Sequence, residues 1–253
     1  MAQRRTADAG LTDPARRALL AAAAALPACT VVPPAGGPGA KLPTGPAPAP
    51  VVRVGDRWRY VLIDRLDGRW LDEPTWEVVE VAPELRLGIR SRRPGGNAEE
   101  RYSEPWVALT ESLYGAPYAY RDPVPVVPGP IEPGRTAATS TSYIDPTTQK
   151  RKLWSQQLRI GGWETVEVPA GRYDCLKVSR TIAFESPDSD RTAANRSDTL
   201  WYAPAVNRWV QREMRGDYTA TGMGANNPST GVRGREDWLL WQLTAYTRSP
   251  VAG

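Results

Sequence analysis

The 253-residue sequence contains no histidine, and this absence narrows the chemistry more than any residue that is present. Without imidazole there is no Ser-His or Cys-His dyad, and the commonest general base and metal ligand are missing. Two cysteines are too few for an all-thiolate zinc site or a disulfide scaffold. Glycine patterns that cradle phosphates or dinucleotides are missing, as is the Gly-x-Ser-x-Gly nucleophile turn. The expectation is a protein that is not an enzyme and carries no metal or cofactor. Phenylalanine occurs once, against ten Trp and ten Tyr, and 25 prolines with 22 glycines imply many turns.

Residues 1–28 read as an export signal. Arg4, Arg5, Arg16 and Arg17 give the positive region, and an uncharged Ala-rich run from Ala18 to Ala28 stops at Cys29. As a helix, eleven residues rise only about 16 Å, short of a ~30 Å hydrocarbon core, so the run is not a spanning anchor. Removing residues 1–28 takes away four Arg and two Asp, which lowers the net charge from +4 to +2. With so little excess charge and no dominant Lys/Arg cluster, nucleic acid is not an expected partner.

Leu26-Pro27-Ala28-Cys29 resembles the lipobox of bacterial lipoproteins. That resemblance implies cleavage before Cys29, fatty acylation (palmitate-type chains) at Cys29, and attachment of the mature chain to a membrane. An ordinary secretory signal that happens to contain Cys29 is the alternative. Arg16-Arg17-Ala18-Leu19-Leu20 is similar to a twin-arginine export motif, beside the alternative of an ordinary basic leader. Thr30, where an Asp would imply inner-membrane retention, implies an outer-membrane location with the domain facing the periplasm.

From Thr30 to Pro50, seven prolines and four glycines fill 21 positions, so 29–50 is expected to be a lipidated, disordered tether. Residues 51–248 are expected to form one all-β domain, an antiparallel curved sheet, half-barrel or sandwich, with two smaller domains as the alternative. Trp58, Tyr60 and Leu62 alternate on one face, Asp67-Gly68 marks a hairpin turn, and Glu236–Thr247 reads as a closing strand. Gly161-Gly162 is expected to divide two strands, Ser186–Ser197 to be a polar loop, and the proline-rich 117–133 to be an edge or surface crossing. Asp188, Asp190 and Asp198 lack the Asp-x-Asp-x-Asp-Gly order of a calcium loop and read as solvated.

Val168-Pro169-Ala170-Gly171-Arg172-Tyr173-Asp174, followed by Leu200-Trp201-Tyr202-Ala203-Pro204, resembles a recurring pattern of proteobacterial envelope lipoproteins with an antiparallel β domain and no assigned function. The resemblance adds no catalytic residues. What remains for contact are the aromatics: Trp201, Tyr202, Trp238 and Trp241, the last two on opposite faces if their segment is a strand. The functional expectation is a lipid-anchored binding or accessory protein that engages an envelope protein or an amphiphile. The alternatives are a carbohydrate- or peptidoglycan-binding module and a structural subunit of an envelope assembly.

Overall fold

The computed structural model describes residues 41–93, 95–113, 116–188, 191–220 and 232–250. Cys29, Leu26, Ala28, Arg16 and Arg17 lie outside the described residues. Thirteen strands follow in chain order: β1 (Arg57–Asp64), β2 (Trp70–Asp72), β3 (Thr75–Glu80), β4 (Leu85–Arg90), β5 (Ala98–Glu104), β6 (Val107–Leu113), β7 (Ala116–Pro125), β8 (Thr136–Ile144), β9 (Arg151–Val168), β10 (Gly171–Phe184), β11 (Arg191–Ala203), β12 (Arg208–Ala220) and β13 (Val232–Thr247). Each pairs antiparallel with its neighbour, and β13 returns to β1 with Trp58 opposite Tyr246 and Asp64 opposite Leu239. Because β2 and β3 share one edge of β1, the barrel has twelve staves. An even number lets the last strand meet the first antiparallel. The all-β antiparallel expectation holds, and the curved sheet closes completely.

The inner face follows from alternation. Trp58, Tyr60 and Leu62 point inward from β1, as do Leu85, Leu87 and Ile89 from β4 and Val178, Ile182 and Phe184 from β10. Tyr118, Tyr143, Trp154 and Phe184 form an aromatic cluster, with centroids 4.8 Å apart for Tyr118–Tyr143 and 5.4 Å for Trp154–Phe184. Many outward positions are polar, among them Ser155, Gln157 and Arg159 on β9, Ser179 and Thr181 on β10, and Glu213 and Arg215 on β12, while Trp70, Val79 and Leu153 are exposed apolar side chains.

One end is closed. Trp106, Val126, Val127, Ile131 and Val206 are buried across it, and the Trp58 indole donates to the Val206 carbonyl at 2.8 Å. The proline-rich stretch therefore runs partly inside, not only over the surface. The same end holds the entering chain. The Ala47 N–H reaches the Ile131 carbonyl at 2.7 Å, Trp163 Nε1 donates to the Gly45 carbonyl at 2.8 Å, and the Val51 N–H reaches Asn207 Oδ1 at 3.0 Å. The segment expected to be a free tether is thus fastened to the barrel from Gly45 onward.

Two local readings are corrected. Gly161-Gly162 is no turn: β9 runs unbroken through it. A Cβ on Gly161 would lie 3.3 Å from the Lys177 carbonyl oxygen, at the bulge between Leu176 and Val178, so glycine admits the close backbone approach. Arg191–Ser197 is strand rather than loop, paired to both β10 and β12. Its Arg196 and Asp198 face the lumen, so a polar sequence here marks an inner face.

Cys175 is the free cysteine among the described residues and is fully buried, and burial pushes its thiol well above the ordinary range. In folded protein Cys175 should resist iodoacetamide, and it should be alkylated only after denaturation. Mass spectrometry of the labelled peptide reads the difference.

Candidate functional site

Charged side chains from four staves, β6, β10, β11 and β12, meet at inner-face positions and are joined by the uncharged Gln156 on β9. Arg180 on β10 donates through both terminal nitrogens to Glu111 on β6, at 3.0 Å each, and through Nη1 to Asp198 at 2.9 Å. Arg212 on β12 donates through Nε and Nη2 to Asp198, at 2.9 and 2.8 Å, and through Nη2 to Glu111 at 2.7 Å. Gln156 on β9 accepts from Arg180. All of these groups are buried, so two guanidiniums and two carboxylates form a neutral square across the lumen. Burial alone would push the Glu111 carboxyl up, but Arg180 and Arg212 outweigh it and hold the group down at about 2. Glu111 therefore adds stability that is complete above its unfolded value of 4.5 and is lost as pH falls through its folded value. Denaturation midpoints should fall between about pH 4.5 and pH 2, and Glu111→Gln should flatten the slope.

Nearer the closed end, Arg208 lies inside an aromatic cage. Its guanidinium carbon is 4.0 Å from the Trp209 ring centroid, 4.9 Å from Trp106, and 5.3 Å from both Trp58 and Trp76. The Glu100 carboxylate stands 3.5 Å away and also accepts from Trp76 Nε1 and the Tyr102 hydroxyl. The Arg208 nitrogens make no close hydrogen bond, and cation–π attraction together with the Glu100 ion pair compensates the buried charge.

Beside this floor the lumen contains a cavity of about 630 Å³, within the roughly 300–1,000 Å³ of small-molecule sites. Tyr60, Trp76, Trp209 and Trp241 line its inner part, with Arg212 among them. Leu62, Ile89, Met214 and Leu239 make its walls, and Asp72, Ser91, Arg93 and Asp237 lie toward its mouth. These last residues stand where β1 joins β2, where β4 joins β5, and where β13 begins, the end opposite the entering chain. At the rim, Arg196 Nη2 donates to Glu236 at 3.1 Å and to Asp237 at 3.0 Å. Burial pushes the Asp237 carboxyl up, and Arg196 only partly offsets it.

The aromatic residues singled out for contact separate. Trp241 lines the cavity. Trp238 is on the outer face, where its indole donates to Glu213 at 2.5 Å and Arg65 and Arg215 flank the ring. Trp201 is also outside, bonded to Glu164 and covered by Lys177 at 5.5 Å. Tyr202 is fully buried, with no solvent-facing surface to offer a partner. Asp198 leaves the supposed solvated loop for the luminal square, and Asp190 lies outside the described residues. No group of three or more metal-ligating side chains occurs among the described residues.

Sequence reasoning missed Glu111, Arg180, Arg196, Arg208 and Arg212. The signal was parity: Val178-x-Arg180-x-Ile182 and Val210-x-Arg212-x-Met214 put each arginine on the face of its buried neighbours.

No protein-family model matches the chain, and no curated protein matches its sequence. Among solved structures, a Parabacteroides distasonis protein described provisionally as a lipoprotein is 18% identical, with a TM-score of 0.48, over 77% of this chain and 96% of that one. An exported protein of Bacteroides fragilis, described provisionally and given a YmcC-like fold, is 15% identical with a TM-score of 0.47, over 80% of this chain and 100% of that one. The hypothetical lipoprotein YmcC of Escherichia coli is 13% identical with a TM-score of 0.42, over 78% of this chain and 86% of that one.

Proposed function

We propose that this chain is a lipid-anchored, non-enzymatic binding protein of the bacterial envelope, attached through Cys29 to the outer membrane with its domain in the periplasm. In this reading the barrel lumen takes a small amphiphilic ligand. The cavity carries the argument: a half-open volume with an indole floor, aliphatic walls and a charged rim has the layout of an amphiphile site. Non-enzymatic use is supported by the bonding of Glu111 and Asp198 to guanidiniums, which leaves neither free to act as a base. A glycan platform would need a row of exposed indole faces. Of the ten Trp, Trp70 alone is exposed, at 50%.

The test uses the full chain carrying Cys29→Ala, so that no detergent competes, with the neutral fluorophore N-phenylnaphthylamine as probe. Its emission should rise on saturable binding. Leu239→Trp, which fills the cavity wall, should weaken binding at least ten-fold while the circular dichroism stays unchanged. A wild-type barrel that leaves the probe dark would remove this reading.

A further inference from the structure

We infer that the ligand taken by this cavity carries a carboxylate at its inner end, held by Arg212, Trp209 and Trp241. The inference rests on the lumen being a ligand site and adds the chemistry that the site selects. The reason is the kind of polar group left over at the floor. Tyr60 has spent its hydroxyl proton on the Trp209 carbonyl at 2.6 Å, and Trp76 has spent its indole N–H on Glu100 at 3.1 Å. Arg212 has committed Nε and Nη2 to Asp198 and Glu111, while its Nη1 meets no acceptor among the described residues. The indole N–H groups of Trp209 and Trp241 likewise have no acceptor among the described residues.

None of these three groups is among the sealed, unpartnered atoms of the interior, and all three residues line the cavity. Three unspent groups on this part of the floor are therefore donors, and one of them belongs to a cation. A carboxylate, with two oxygens and about four lone-pair sites, can accept from all three, whereas a hydroxyl has a single oxygen to offer them. A carboxylate offers two oxygens, and its bond to a guanidinium is of the charge-assisted kind.

The nearby charges are balanced, Arg212 within the square, Arg208 by Glu100 and Arg196 by Glu236 and Asp237, so the assignment rests on the unspent donors and not on excess charge. Beyond the floor the walls are Leu62, Ile89, Met214 and Leu239, so the body of the ligand is apolar. The ligand class is a monocarboxylate on an aliphatic or aromatic body.

The experiment is displacement of N-phenylnaphthylamine from the full Cys29→Ala chain by decanoate and by decanol, which share an apolar length and differ in the head group. Decanoate should displace the probe at a concentration at least ten-fold lower than decanol. Trp209→Phe and Trp241→Phe keep an aromatic ring and delete the N–H, and each should cut the ratio of decanoate to decanol affinity several-fold, whatever the change in volume does to both. These variants spare the ion-pair square, and an unchanged circular dichroism spectrum checks that each still folds. Equal displacement by the two competitors, with the probe still bound in the lumen, would overturn the carboxylate assignment and leave the amphiphile site standing. Failure of the probe itself to bind would remove both.

Discussion

Arg180→Met should lower the free energy of unfolding by about 3–5 kcal/mol at neutral pH, as breaking one side of a buried ion pair does. Arg180 is fully buried and bonds both oxygens of Glu111, Asp198 and Gln156. Methionine restores little of that bonding. Glu111 and Asp198 would then share one guanidinium, and two carboxylates at a single site oppose each other's ionisation. By contrast, cutting the exposed Arg101–Glu84 pair should change stability by less than about 1 kcal/mol. Urea denaturation of the Cys29→Ala chain, with and without each substitution, makes the comparison. A decisive companion is Arg180→Met combined with Glu111→Leu and Asp198→Leu. Replacing the acids together with the base removes the orphaned charges, so much of the lost stability should return. A loss below about 1 kcal/mol for Arg180→Met alone would mean that the square does not brace the barrel.

The reason to keep so costly a group of charges lies in the topology. Glu111 stands on β6, while Arg180, Asp198 and Arg212 stand on β10, β11 and β12, separated from it by as many as 101 residues. Apolar contact across the lumen would tolerate sliding of one wall over the other, whereas bidentate guanidinium–carboxylate bonds accept one geometry. The two walls joined this way are also those between which the ladder is weakest: β7 and β8 share only the pairs Ala119–Ile144 and Tyr120–Tyr143. The square ties together the staves on either side of that seam, and it holds Arg212 in place at the cavity floor.

Much of this architecture was legible in the sequence. Trp58, Tyr60 and Leu62 alternate as a half-buried strand should, and Glu236–Thr247 closes the sheet against β1. What misled was the assumption that an inner face is apolar. The polar run around Arg196 makes Ser186–Ser197 read as a loop, and Asp198 beside it reads as solvated, although a closed barrel of this girth has a lumen that admits paired charges. Glycine was misread for a related reason. Gly161-Gly162 has the composition of a turn, but its role depends on how near Lys177 comes in the adjoining strand, a long-range fact that composition does not carry. The candidate site suffered most, because it is assembled from single residues on separate staves and no two of its ionic partners are neighbours in sequence.

Cys29→Ala should move the protein from the membrane pellet to the soluble fraction, the largest single change expected of any substitution. Each buried methylene of an acyl chain contributes roughly 0.8 kcal/mol, and two or more chains hold a protein where one does so only marginally. The readout is fractionation of envelopes, with radiolabelled palmitate incorporated by the parent chain and not by the variant. Persistence of the variant in the pellet after a carbonate wash would remove the anchor from the account. With the chain fastened to the closed end from Gly45, a lipid-bearing Cys29 would stand at most about 50 Å from that end, even were the intervening residues fully extended at ~3.1 Å each. The cavity mouth is at the other end of the barrel, so the tether attaches behind it. A ligand from the anchoring bilayer would have to pass around the barrel, whereas one arriving from the opposite side meets the mouth directly. Shortening the tether by deleting residues 33–40 should therefore leave binding of N-phenylnaphthylamine unchanged, even while the protein stays on its membrane.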